Sequence, residues 1–280
     1  MPDCPAPAIA VALPSLSDWS GRLASLPIPV LADTAAELEA LREVEDDVDA
    51  QMLAEALCDD PLMSLKLLAH VGRLGVARDA TAPETVTSAL VWLGIGPFFR
   101  AFSAQPTAEL LLAENPAALQ GLRDVLRRAH RAAAFALAFA VHRMDGDAHV
   151  IHAATLLHDF AEMLLWLHAP SLALQLARRQ RDNPTLRSAR AQRELLNIEL
   201  VDLQQALLRE WQLPQLLVRI SDERHAEAPE VRNVLLAVRL ARHTALDWDN
   251  PALADDVRDI AALLNLGEGP TRKLLLEIDC

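Results

Sequence analysis

The sequence predicts an all-α protein, and its composition supplies the main evidence. Ala, Leu and Arg dominate the chain, which contains no Tyr, only 9 Gly and 4% aromatic residues. Alanine and straight-chain side chains favour helices, whereas strands are enriched in β-branched and aromatic residues. A length of 280 residues with 52% hydrophobic and 23% charged residues is typical of a globular protein with a sizeable core. We therefore expect a multi-helix fold that consists of two packed helical lobes.

Asp-Pro and Asn-Pro pairs indicate where several helices begin. Such a pair supplies a capping side chain followed by a proline at the first helical position. Four pairs occur, namely Asp60-Pro61, Asn115-Pro116, Asn183-Pro184 and Asn250-Pro251. Together with apolar periodicity, these signals predict helices at about 31–43, 49–58, 61–75, 85–94, after Gly96-Pro97, and at 116–143, 153–165, 171–181, 190–211, 214–223, 230–246, 251–264 and 270–278.

The chain is predicted to have four parts. Residues 1–18 are rich in proline and form an extended lead-in, so that the fold begins near Trp19. An N-terminal helical lobe covers residues 19–105, and a second helical lobe covers 106–247. Residues 248–280 form a C-terminal helical cap.

The stretch Ala153–Leu165 is predicted to be a central helix with a His-Asp doublet in its middle. Apolar residues recur at helical spacing, at positions 150, 154, 157, 161, 164 and 165. His158 lies at the seam between this buried stripe and a polar face that includes Asp159. Glu162 follows His158 by one helical turn, which is the spacing of an i,i+4 pair. A polar doublet inside an apolar helix is the first candidate for a functional site.

Charge is unevenly distributed along the chain. The net charge of −13 opposes general binding to nucleic acid, which requires Lys and Arg on phosphates. Residues 33–60 contain eleven acidic residues against the single Arg42, whereas residues 121–193 contain eleven arginines against six acidic residues. This asymmetry is expected either to orient a partner or to form an anion site, and the alternative is two solvated faces of different charge.

Cysteine usage and the N-terminus predict a cytoplasmic protein. Cys4, Cys58 and Cys280 are scattered and form neither a disulfide framework nor a zinc-binding pattern. The N-terminus has no basic region, and its apolar run 8–13 ends at Pro14. We also expect that no apolar run approaches the roughly 20 residues needed to cross a bilayer. Membrane association is therefore not expected.

Five short motifs carry a resemblance to a known family. In chain order they are Leu26-Pro27-Ile28-Pro29, Asp59-Asp60-Pro61 leading into Leu65-Lys66-Leu67-Leu68, Val86-Thr87-Ser88-Ala89 with Leu93-Gly94, Leu156-Leu157-His158-Asp159, and Trp211-Gln212-Leu213-Pro214. In this order and spacing, over about residues 20–245, the chain resembles the HDOD family of bacterial signalling proteins. The resemblance implies an all-helical relative of the HD-type metal-dependent phosphohydrolases, with an HD-like second lobe, a regulatory role and an incomplete metal site.

The resemblance also identifies the residues of that metal site. In the HD superfamily a first His, a His-Asp doublet and a final Asp hold metal that activates water. His130 matches the first position, and His158 and Asp159 match the doublet. Arg242 stands at the expected position of the final Asp, where a guanidinium only donates hydrogen bonds. We therefore expect no catalytic residue, no cofactor and no bound metal; any metal would use His130, His158 and Asp159.

Two alternatives remain open for these residues. If a metal is bound, either Asp222 or His225 is expected to take the place of the missing final Asp. Without metal, His130 is expected to be a partly buried histidine, and Asp159 is expected to pair with an arginine of 123–131 or with Arg242.

Three functions follow from this reasoning. The first is a non-catalytic signalling module that binds another signalling or regulatory protein, with Arg127, Arg128 and Arg131 as candidate interaction residues. The second is a metal-dependent phosphohydrolase that acts on a nucleotide. The third is a sensor that binds a nucleotide or another anion at the Arg-rich lobe without hydrolysis.

Overall fold

The computed structural model describes residues 7–77, 83–183 and 185–279, and within these ranges all regular secondary structure is helical. The single β feature in the described ranges is an isolated parallel bridge between Val30 and Thr107. The predicted all-α class is therefore confirmed.

The first part of the chain, up to the His-Asp doublet, contains nine α-helices within its described residues. They are α1 (Leu16–Ser25), α2 (Ala32–Glu43), α3 (Ala50–Leu57), α4 (Pro61–Ala77), α5 (Val86–Leu93), α6 (Ile95–Ala101), α7 (Ala108–Leu111), α8 (Pro116–Arg143) and α9 (Ala148–Leu156). A short 3₁₀ helix, Glu45–Asp47, connects α2 to α3.

The remaining helices follow the doublet. They are α10 (Phe160–His168), α11 (Pro170–Asp182), α12 (Ser188–Leu196), α13 (Leu200–Glu210), α14 (Gln215–Ile220), α15 (Pro229–His243), α16 (Leu253–Leu264) and α17 (Glu268–Ile278). A second 3₁₀ helix, Glu223–His225, lies between α14 and α15.

Two of the four predicted proline pairs open helices directly. Asp60 Oδ1 accepts the backbone N–H groups of Leu62 and Met63 at 2.9 and 3.0 Å, and α4 begins at Pro61. Asn115 Oδ1 accepts from the Ala118 N–H at 3.2 Å, and α8 begins at Pro116. Pro184 lies outside the described residues, and the helix that follows it begins at Ser188. After Asn250-Pro251 a turn intervenes before Leu253.

Two segments that were predicted as single helices are interrupted. The predicted helix 190–211 breaks at Asn197, which has a left-handed φ of 65° that Asn adopts more easily than most residues. The predicted helix 153–165 breaks at residues 157–159, between α9 and α10. There the His158 N–H donates to the Thr155 carbonyl at 3.1 Å, three residues back, which tightens the turn beyond α-helical geometry. Helical periodicity continues through this turn and therefore did not indicate it.

The first compact unit comprises the described residues of Met1–Val125 and Asp159–Leu213. Trp19 on α1 is fully buried against α13, and its indole N–H donates to the Leu196 carbonyl at 2.9 Å. The Phe160 ring, at the start of α10, lies 5.7 Å from the Trp211 ring. The core of this unit therefore holds Trp211, the first residue of one of the motifs that carry the family resemblance.

The second compact unit comprises Leu126–His158 and the described residues of Pro214–Cys280. In this unit α15 packs against α9 and α16, and α16 packs against α17. The fully buried Asn233 of α15 donates from Nδ2 to the Ala136 carbonyl at 3.1 Å. The predicted division into a lead-in, two lobes at 19–105 and 106–247, and a C-terminal cap stays a prediction.

The stretch Ala148–His168 is apolar and long enough, by length and composition alone, to cross a membrane. The expectation that no run approaches this length was wrong, because Asp159 and Glu162 are its only charged residues apart from histidines. In the structure the stretch is interrupted by the turn at 157–159, and 83% of its apolar window is buried. These properties are those of a core segment and are consistent with a soluble protein.

Candidate functional site

The His-Asp doublet lies in the turn between α9 and α10. His158 and Asp159 retain only 5% and 8% of their exposure, so both side chains are buried. Asp159 is the residue before α10, and its carbonyl accepts the N–H groups of Glu162 and Met163 at 3.0 and 3.1 Å. Two polar side chains are thus buried on a turn whose backbone is held by hydrogen bonds. Buried polar groups of this kind require hydrogen-bonding partners.

The His158 imidazole pairs with a carboxylate from a distant part of the sequence. Its Nε2 lies 3.3 Å from Oε1 of Glu223, in the 3₁₀ helix that follows α14. Glu223 is 43% exposed at its side chain, so the pair joins a buried imidazole to a carboxylate that reaches solvent. Sequence reasoning missed Glu223, and the predicted pairing of His158 with Glu162 stays a prediction.

The two candidates for a substitute metal ligand lie beside Glu223. Asp222 accepts from the Arg224 guanidinium at 2.9 and 3.1 Å and from the Arg224 N–H at 3.2 Å. These bonds from Arg224 hold the pKa of the Asp222 carboxyl below its usual value, against an opposing effect of partial burial. His225 Nε2 lies 3.9 Å from Asp222, and its Nδ1 lies 3.5 Å from Glu227. The Asp222 carboxylate is therefore already paired with the Arg224 guanidinium.

The other predicted members of the metal site lie on two further helices. His130 is half-buried on α8, and Arg242 is exposed near the end of α15. Within the described ranges, no group of three or more His, Cys, Asp or Glu side chains is arranged to hold a metal ion. The absence of a bound metal at this site stays a prediction. The approach of His130 to the doublet and the pairing of Asp159 with an arginine stay predictions.

The candidate interaction residues lie on one helix but differ in their surroundings. Arg127 is exposed and Arg128 is half-buried on α8. Arg131 donates from Nε and Nη2 to the Asp279 carboxylate at 2.8 and 2.7 Å, and from Nη1 to the Thr244 carbonyl at 3.0 Å. Its guanidinium therefore joins α8 to the end of α17. The role of the three arginines in binding a partner stays a prediction.

The contact with Arg131 changes the pKa of Asp279. Burial raises the pKa of the Asp279 carboxyl, but the hydrogen bonds from Arg131 and from the Trp248 indole outweigh burial and lower that pKa below its usual value. Arg131 and Asp279 are 148 positions apart in sequence. No periodicity or motif indicates such a pair.

A second polar site, in the first unit, was not identified from the sequence. Lys66 on α4 donates from Nζ to Oε1 of Gln105, in the segment between α6 and α7. Burial lowers the pKa of Lys66 to about 8, although the buried Asp60 carboxylate partly opposes the shift. The available signal was a lysine within the apolar run Leu65–Leu68, because a lysine there must either reach solvent or find a partner.

The all-helical fold and the buried His-Asp turn agree with the family that the sequence resembles. The HDOD domain model matches residues 28–227, well over half of the chain, and the chain therefore belongs to the HDOD domain family. None of the curated proteins matches this chain.

Solved structures share the fold at low sequence identity. The MmoQ response regulator of Methylococcus capsulatus strain Bath is 18% identical, with a TM-score of 0.67 over 90% of this chain and 99% of its own. A virulence factor of Campylobacter jejuni is 18% identical, with a TM-score of 0.63 over 95% of this chain and 94% of its own. An HDOD domain protein with unknown function from Geobacter sulfurreducens is 16% identical, with a TM-score of 0.50 over 94% and 95%. These likenesses show the fold alone.

Proposed function

We propose that this protein is a non-catalytic signalling module of the HDOD family that acts by binding another bacterial signalling or regulatory protein. The observation that carries the proposal is that side chains of the His-Asp turn and of the neighbouring 3₁₀ helix pair with other side chains. His158 pairs with Glu223, Asp222 pairs with Arg224, and Arg242 stands where HD-type enzymes have their final Asp. These contacts suit a stable scaffold, whereas hydrolysis requires a complete cation site.

The charge distribution supports a protein as the partner. Ten of the eleven acidic residues in 33–60 are exposed, and the eleventh, Asp60, is fully buried. The arginines of 121–193 are divided between the units, with seven in the first and four in the second. Charged patches of opposite sign steer and orient a partner protein, and salt weakens this effect because the Debye length is only about 8 Å at physiological ionic strength.

The retained doublet favours one alternative, a metal-dependent phosphohydrolase that acts on a nucleotide. His158 and Asp159 are both present and buried, as two ligands of such a site would be. A cytoplasmic location is part of either proposal, since the exposed Cys58 is a free thiol of the kind that a reducing compartment maintains.

An affinity capture experiment tests the proposal. The tagged full chain is incubated with extract from the native cytoplasm, and captured proteins are quantified by mass spectrometry at low and raised salt. We expect one specific partner, whose recovery falls at raised salt and in the double variant Arg127→Glu, Arg128→Glu. The matched control is charge reversal at Arg232 and Arg272, which are exposed in the same unit. Equal recovery by all variants, or no specific partner, would contradict the proposal.

A further inference from the structure

A groove of about 310 Å³ lies in the first unit between α2 and the segment 102–105. One wall consists of α2 residues at positions i, i+3, i+4 and i+7, namely Ala35, Leu38, Glu39 and Arg42. The opposite wall is the chain that leads from Phe102 to Gln105. The groove is therefore bordered by one face of a helix and by the bent segment 102–105.

The floor of the groove is apolar and well packed. Leu38 and Phe102 are buried to 4% and 5% exposure. The Phe102 ring lies 5.0 Å from the Phe98 ring and 5.1 Å edge-on from the His70 ring. An apolar side chain that entered the groove would thus be added to a well-packed apolar floor, and interface hot spots cluster in well-packed, desolvated pockets of this kind.

Both walls are held by polar contacts from neighbouring elements. Gln105 is bound at both ends, since Lys66 donates to its Oε1 and its Nε2 donates to the Ser103 carbonyl at 2.6 Å. At the start of α2, the Leu31 N–H donates to Asp60 at 2.7 Å and the Ala32 N–H donates to Glu109 at 3.0 Å. A groove that is already formed before binding loses less conformational entropy when a partner occupies it.

The negative charge of the segment that includes α2 favours a positively charged occupant. From Asp33 to Asp59 the chain exposes ten carboxylates, and Arg42 is its only basic residue. Arg42 is itself paired with Glu39 at 2.5 Å on the rim of the groove. Val44 and Met52, on the same acidic segment, are 48% and 41% exposed and add apolar contact area. A basic segment with an apolar residue complements this surface in both charge and shape.

We propose that this groove is the docking site for a basic segment of the partner protein. The segment inserts one large apolar side chain between α2 and residues 102–105, and its flanking Lys and Arg residues lie along the acidic surface of α2 and α3. This inference rests on the proposed function, because it names one surface that the partner contacts, in addition to the candidate residues Arg127 and Arg128.

Fluorescence anisotropy with the full chain tests the inference. The probe is a labelled synthetic peptide with a central Trp flanked on both sides by alternating Lys and Ala, and the control peptide has Ser in place of Trp at equal charge. We expect the Trp peptide to bind at least about tenfold more tightly than the Ser peptide, with affinity falling at raised salt. Equal affinity for the two peptides would overturn the inference, since charge alone would then explain binding.

Two pairs of variants locate the binding site. Ala104→Trp fills the groove from an exposed position, and Ala113→Trp is its control at an exposed position that does not line the groove. We expect Ala104→Trp to lower the affinity for the Trp peptide about tenfold and Ala113→Trp to leave that affinity unchanged. Charge reversal at Glu37 and Glu43 should weaken binding more than the same change in net charge at the exposed Asp182 and Glu210 on other helices.

The outcome separates this inference from the proposed function. If Ala104→Trp binds the peptide like the parent protein, the groove is not the docking site. The same variant would then still capture the partner from extract, and the proposed function would stand with a different surface. If no specific partner is captured at all, the proposed function itself fails.

Discussion

Gly72 on α4 lies directly against the backbone of Trp211, so closely that a Cβ at Gly72 would be 2.8 Å from the Trp211 carbonyl oxygen and 2.5 Å from that of Gln212. This approach joins α4 to Trp211 and Gln212 within the first unit. Contacts shorter than 3.0 Å with backbone atoms cannot be relieved by moving a flexible side chain. The absence of a side chain at position 72 is therefore a requirement of the packing.

Gly72→Ala should destabilise the protein by about 1–3 kcal/mol, because the added methyl group overpacks a rigid contact. Gly21→Ala is the matched control, since a Cβ at Gly21 on α1 meets nothing within 4 Å. At Gly21 the substitution should raise stability by roughly 0.5–1 kcal/mol, because alanine has the higher helix propensity. Urea unfolding measures both changes. Equal stability of the two variants would contradict the packing argument.

Arg131→Ala should lower stability by about 1.5–3 kcal/mol, because the guanidinium donates hydrogen bonds to a carboxylate and a carbonyl at the end of the second unit. The exposed Arg272→Ala on α17 serves as the control. The effect should also depend on pH. The folded pKa of Asp279 is below its unfolded value, so the stabilisation is present above about pH 3.8 and is lost as pH falls through the folded pKa. Thermal unfolding should show a lower melting temperature for Arg131→Ala than for the parent protein at neutral pH. The two melting temperatures should become similar only at acid pH.

Lys66 should make stability rise at alkaline pH. Its pKa falls from 10.5 to about 8 on folding, so between these values the unfolded chain binds more protons than the folded chain. Stability therefore increases with pH across this window, relative to Lys66→Met, which has no titrating group. The sequence has no Tyr and only one other lysine, the exposed Lys273, so few other groups titrate there. Parallel stability curves for the two proteins from pH 8 to 10.5 would refute the assignment.

Asp159→Ala should destabilise the protein by about 3–5 kcal/mol, because removal of a buried carboxylate leaves its partners uncompensated. Asp159 is 8% exposed, which supports a structural role. The comparison variant is Asp182→Ala, an exposed carboxylate at the end of α11. Differential scanning calorimetry should show a melting temperature lower by several degrees for the first variant alone. An unchanged melting temperature would indicate that Asp159 is not part of a buried pair.

Local signals predicted the fold class and many of the helices, because composition and capping act within a few residues. Asp60 and Asn115 illustrate this, since each caps the helix that its own proline begins. The turn at His158 was not predicted, because it depends on a three-residue hydrogen bond that leaves the apolar periodicity intact.

The parts of the site that sequence reasoning missed depend on contacts between distant positions. Glu223 contacts His158, and Asp279 contacts Arg131, because of how the helices from α14 to α17 pack in the folded structure. Gln105 similarly meets Lys66 across 39 positions. Residue type and spacing identified His158 and Asp159 as candidates, and the family resemblance then supported them, but neither carried information about the side chains that these residues contact.

Phosphodiester and nucleotide hydrolysis by the purified full chain, supplied in turn with Mn²⁺, Fe²⁺ and Mg²⁺, tests the central claim most directly. We predict no turnover above the buffer and metal blank, and no difference between the parent protein and His158→Ala. Hydrolysis at an enzymatic rate that is lost in His158→Ala, with the variant still folded by circular dichroism, would contradict a non-catalytic signalling role and would assign the doublet to chemistry.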